Sequence, residues 1–297
     1  MAARRVTRGR HVAAVATALA VAGVLVGGAV LAGTRLLNTT APAATGPDEG
    51  CVATTDAGTA ALASDQAANA ALIAAVGQAM GMSPRAVTIA LATAMQESKL
   101  RNLDYGDLDS LGLFQQRPSQ GWGTPEEVMD PIYAAGKFYS ALAQVEGFES
   151  MAVTDAAQAV QRSAFPNAYA QHEAAARSLA SALTGHSAAA LTCVYAVAEE
   201  RGAATRVVAA LRAEWGDAAA DAVLAAAESA TGGAVEFRAA SDTTAWARAQ
   251  WAVAKAKELG IRSVTVAGQT WRRDAGEWTA SDSTAPADPL VVTLALA

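Results

Sequence analysis

Residues 83–98, SPRAVTIALATAMQES, and the stretch 99–123 that follows, KLRNLDYGDLDSLGLFQQRPSQGWG, decide the reading of this chain. Ser83 before Pro84 supplies an N-cap and an N1 proline, so a helix should open there, bury its apolar run and end near Ser98. That helix carries one carboxylate, Glu97, at the end of the apolar run. A last-turn glutamate on its own reads as a solvated surface residue, but partial burial would favour the protonated form that a general acid must supply. The loop after it supplies amides at Gln115, Gln116 and Gln120 and rings at Tyr105, Phe114 and Trp122. Such groups suit the hydroxyls, N-acetyl groups and apolar faces of a sugar.

Working outward, the punctuation stays helical. Ser64-Asp65 opens a run to about Met80, Thr124-Pro125-Glu126-Glu127 has the form of a capping box, and Asp130-Pro131 opens a longer helix. Thr154 and Pro166 open two more, the last ending before Gly185. No segment between the cysteines alternates as a strand should, so the expectation is a mainly α chain whose irregular loop, 99–123, lies across six or so helices.

Five of the 22 basic residues, Arg4, Arg5, Arg8, Arg10 and Arg35, precede Leu37 with no acidic residue among them, leaving 17 basic against 28 acidic residues in the body. So acidic a body argues against nucleic acid or an anionic surface as the main partner. Residues 12–33 carry no charge and are long enough as a helix to cross roughly 30 Å of hydrocarbon. The expected organisation is a cytoplasmic tail at 1–11, a transmembrane or signal segment at 12–33 and a linker at 34–50. The rest would lie outside the cell membrane in a single-pass arrangement, or be secreted if the Ala-x-Ala at Ala18 to Ala20 is cleaved. In an exported chain the two cysteines, Cys51 and Cys193, are expected to pair, bracketing a domain at 51–193; the alternative is two buried thiols.

Glu97-Ser98 followed by Gly112-Leu113-Phe114-Gln115 resembles the Glu-Ser and Gly-Leu-(Met/Phe)-Gln signatures of the lysozyme-like superfamily, in particular soluble lytic transglycosylases and goose-type lysozymes. The wider string GDLDSLGLFQQRPSQGWGTPEEVMDP, with AAQAVQRSAFPNAYAQHEAAAR at 156–177, is similar to an actinobacterial branch. The resemblance implies a lysozyme-like helical domain that cleaves the MurNAc-GlcNAc bond of peptidoglycan glycan strands. It makes Glu97 the catalytic acid and base, Ser98 its orienting neighbour, Gln115 a cleft ligand, and Gln161 and Tyr169 members of the later cleft motif. With Gln116, Tyr105 and Phe114 these form the expected substrate-binding set. Lytic transglycosylases use one carboxylate, while goose-type lysozymes position a water with acidic residues that Asp107 and Asp109 could represent. The plain reading of those two aspartates is turn formation.

After Cys193 the pattern changes. Helices are expected at 203–215 and 217–229, a strand at 234–237, a helix from Asp242 to Leu259, and strands at 261–267 and 290–296, which makes 194–297 a small α+β accessory domain. Four of its tryptophans, Trp246, Trp251, Trp271 and Trp278, read as core or as a sugar-stacking surface. Gly232-Gly233-Ala234-Val235-Glu236-Phe237 resembles a segment of wall domains related to zinc D-Ala-D-Ala peptidases. Ser229 stands in place of the first His and Glu236 in place of the Asp, so no zinc site is expected and no cofactor is called for. A second functional expectation is a non-catalytic wall-binding or scaffolding protein that keeps the glycan cleft.

Overall fold

The computed structural model describes residues 49–163, 165, 167–195, 202–229, 232–281 and 288–297. A hairpin comes first among them: β1 (Gly50–Thr55) pairs with β2 (Gly58–Leu62), and β1's other edge takes β3 (Leu191–Val194), all antiparallel, in the order β2-β1-β3. Cys51 and Ala53 point inward while Val52 and Thr54 face out. Cys51 and Cys193 are register partners and form a disulfide with their Cα atoms 4.0 Å apart.

These strands correct the expectation of a mainly α fold. The described chain is α+β, with 47% helix and 22% strand in two antiparallel sheets of three and six strands. Their alternation escapes notice because it is written in alanine and threonine, whose burial cannot be told from composition, and because strand pairing with distant Cys193 is not a local property.

Helices carry the rest of the region up to β3. They are α1 (Ser64–Ala79), α2 (Pro84–Ser98), α3 (Pro125–Met129), α4 (Pro131–Leu142), α5 (Val153–Gln161) and α6 (Glu173–Leu183), with a 3-10 turn at Ala168–His172 before the last. The caps lie where their side chains dictate. Ser83 accepts from the Ala86 N–H, Thr124 and Glu127 close a capping box, and Asp130 accepts from the N–H groups of Ile132 and Tyr133. Helix α2 is buried from Ala86 to Ala94 and is enclosed by α1, α4, α5 and α6. At about 25 cal/mol per Å² of apolar surface, that enclosure makes α2 the axis of the core.

Beyond β3 come α7 (Ala204–Trp215), α8 (Asp217–Asp221), β4 (Val223–Ser229), β5 (Gly232–Arg238), α9 (Asp242–Ala254), α10 (Ala256–Leu259), β6 (Ile261–Val266), β7 (Gln269–Arg272), β8 (Glu277–Ala280) and β9 (Val291–Leu296). The second sheet runs β4-β5-β9-β6-β7-β8, antiparallel throughout. The expected helix at 217–229 is therefore half strand. Alanine favours a helix by tenths of a kcal/mol per residue, and six ladder pairings with β5 outweigh that preference. Trp251 and Trp271 are fully buried, Trp246 nearly so, and Trp278 is half-buried and donates its Nε1–H to the Leu191 carbonyl.

Both regions share one apolar core, and the described residues pack as one unit. Gln250 on α9 ties them: its Nε2 donates to the carbonyls of Ala182 at 2.7 Å and Ser187 at 3.0 Å, and its Oε1 accepts from Leu191 N–H at 2.7 Å. A fully satisfied, buried amide fixes one docking geometry. Among the described residues no helix is long and apolar enough to cross a membrane, and to that extent the expected transmembrane helix and single-pass placement are corrected. Residues 12–33, on which that placement rested, lie outside the described residues.

Candidate active site

The last turn of α2 carries the candidate chemistry. Lys99 and Leu100 both take left-handed backbone, and the Leu100 N–H returns to the Ala94 carbonyl at 3.1 Å, so the chain leaves the helix sharply after Ser98. Glu97 is thereby left at the helix end, half-buried. Tyr169, buried in the 3-10 turn, donates its hydroxyl to Glu97 Oε1 at 2.7 Å. Burial and the neighbouring carboxylate push the Tyr169 phenol well above its ordinary range, so it stays a neutral donor. Among the described residues Glu97 Oε2 has no hydrogen-bond partner, which leaves one oxygen held and one open.

Gln96 holds the same turn from the adjacent position. Its Oε1 accepts from Gln171 Nε2 at 2.9 Å and lies 3.1 Å from His172 Nε2. Burial lowers the His172 pKa, which favours the neutral ring with the Nε2–H donating to the amide oxygen. Two consecutive residues of α2 thus fasten the turn that holds Glu97. Gln96 was not among the expected site residues, because an amide beside a glutamate carries no signal until the 3-10 turn is placed next to it.

Two bonds fix the 112–115 segment against α2. Ser98 donates its hydroxyl to the Leu113 carbonyl at 2.7 Å, and Gln161 Nε2 donates to the Phe114 carbonyl at 2.7 Å. Both expected ligands therefore act as backbone braces, with Ser98 buried. Gly112 has φ +77°, and a Cβ there would meet the Val128 carbonyl oxygen at 2.3 Å, so only glycine fits. Phe114 faces away from any ligand: it is fully buried and stacks on Phe138 with ring centroids 4.7 Å apart. Gln116 is also buried, donating to the Ala134 carbonyl at 3.1 Å. Gln115, at φ 47°, folds its Nε2 toward the carbonyls of Tyr105 and Gly112, each at 3.3 Å.

The acidic loop separates its two aspartates. Asp109 accepts from Arg117 Nε at 2.8 Å, from Ser119 N–H at 2.7 Å and from Ser119 Oγ at 3.0 Å, and these bonds hold its carboxyl far below the usual carboxylate range. Both partner residues belong to its own loop, which makes it a clasp. Asp107 is exposed, as is Tyr105, a residue 68% accessible. The structure thus joins Tyr169 to Glu97, fixes Ser98 and Gln161 to one backbone segment, and places Phe114 and Gln116 in the core.

Compared with known proteins, the chain matches no family model and no curated relative.

Proposed function

We propose that this protein cleaves the MurNAc-GlcNAc bond of peptidoglycan with Glu97 as the sole catalytic carboxylate. The observation that carries this reading is the asymmetric setting of Glu97: Oε1 takes the 2.7 Å bond from buried Tyr169, while Oε2 is open. One carboxyl that first gives and then takes a proton requires such a fixed, half-accessible group. In the protonated state Glu97 donates to the glycosidic oxygen as the bond to the anomeric carbon breaks. The resulting carboxylate then removes the proton of the muramic 6-hydroxyl, whose oxygen closes on the anomeric carbon to give a 1,6-anhydro end. The commitment of Asp109 to Arg117 and Ser119 favours this route over one in which that aspartate positions a water. Exposed Tyr105 offers a ring face for a sugar. The test is release of soluble muropeptides from purified sacculi by the wild-type protein, with Glu97→Gln as the control that removes the transferable proton and little volume.

A further inference from the structure

The residue after Tyr169, Ala170, lines an open groove of about 1040 Å³ whose wall includes the first turns of α2 at Arg85 and Thr88. Glu97 is not part of it. Two guanidinium groups in this groove share one carboxylate: Arg177 Nη1 lies 3.4 Å and Arg85 Nη1 3.9 Å from Glu173 Oε1. Both separations exceed the ~2.7–2.9 Å of a close charge-assisted bond, so each cation retains capacity for a second anion. Asp56, exposed on the β1–β2 turn, adds a negative group at the rim.

The lining also says what the ligand is not. Among the described residues no Trp, Tyr or Phe borders the groove, so nothing offers a sugar ring a stacking face. Its apolar surface is instead Pro84 and alanines, including Ala174 and Ala180, which suits methyl-sized side chains. His186 contributes an acceptor. The Thr184 hydroxyl proton goes to the Ala180 carbonyl at 2.6 Å, so Thr184 Oγ1 accepts from His186 Nδ1–H at 3.0 Å, which leaves Nε2 as the ring nitrogen for a peptide N–H.

We infer that this groove binds the carboxylate-bearing peptide stem that hangs from the glycan strand, with Arg85 and Arg177 taking its carboxylates and Asp56 its free amine. The inference rests on the peptidoglycan reading of Glu97. Position agrees with it: Ala170, which lines the groove, follows Tyr169, whose hydroxyl holds Glu97, so the groove begins beside the candidate site.

The test is a titration of the full-length protein with a free stem tetrapeptide (Ala, isoglutamate, a diamino acid, Ala), followed by amide chemical shifts and calorimetry. Arg85 also donates to the Met151 carbonyl, so its removal risks the fold, and Arg177→Gln is the variant of choice. Saturable binding that perturbs Ser181 and Ser187, and that weakens at least tenfold in Arg177→Gln and with the carboxylates amidated, is expected. No binding, or equal affinity for the amidated peptide, overturns the inference. Peptide binding without glycan cleavage keeps the groove and sinks the role of Glu97, while cleavage of peptide-free strands without peptide binding does the reverse.

Discussion

Tyr169 donates to Glu97 Oε1 at 2.7 Å across 72 residues of sequence, and it does so from a fully buried position. The bond joins the 3-10 turn before α6 to the end of α2, so the orientation of the carboxyl depends on two segments that meet only in the fold. Tyr169→Phe keeps the ring and removes the donor. Hydrogen bonds to charged groups contribute about 1.5–3 kcal/mol to stability, so the variant should melt several degrees lower at about 2–4 °C per kcal/mol, and below that transition its turnover of sacculi should fall by roughly 10- to 100-fold. Unchanged turnover in Tyr169→Phe would show that the phenol is only a core residue.

The disulfide closes a separation of 142 residues between β1 and β3. In the chain-entropy model such a loop is stabilised by about 4–5 kcal/mol, with measured values usually lower. The double variant Cys51→Ser, Cys193→Ser should therefore melt roughly 10 °C lower by calorimetry, at about 2–4 °C per kcal/mol for a chain of this size. Activity at 25 °C should change little, because neither cysteine touches α2's last turn. Two free thiols on titration of the native protein would contradict the pairing.

Asp109 gives the loop at 104–120 a pH dependence. Its carboxyl is depressed in the fold from an ordinary value of 3.8, through Arg117 first and Ser119 second. A depressed carboxyl contributes stability that is fully present above the unfolded value and is lost as pH falls toward the folded one. The loop clasp should thus hold at pH 5 and above and loosen below about pH 4. Limited proteolysis by an acid protease should cut near Ser119 progressively as pH drops from 4 to 2, and Asp109→Asn should be cut there already at pH 5. Equal cleavage at every pH would remove Asp109 as the clasp.

How much of this was legible in the sequence depends on the range of the determinant. The helix starts at Ser83, Thr124 and Asp130 were readable, because a cap is a contact between a side chain and the backbone two or three residues on. Strands β1, β2 and β4 were not, since Ala and Thr carry no decisive alternation: β1 pairs with β2 and with distant β3, and the alanine run of β4 reads as helix until β5 pairs with it. At the site, Tyr169 was singled out as a cleft residue, but its bond to Glu97 was not readable, because the two meet only in the fold. The burial of Phe114 and Gln116 could not be foreseen, because whether a ring or an amide after Gly112 faces core or cleft is settled by α4.

The most direct test of the central claim is mass spectrometry of the products released from purified sacculi. A single carboxylate acting as acid and then base requires 1,6-anhydromuramyl ends from the wild-type protein and no release by Glu97→Gln. Reducing ends in their place would assign the reaction to an activated water and contradict the one-carboxylate account, and equal release by Glu97→Gln would remove Glu97 from the chemistry altogether.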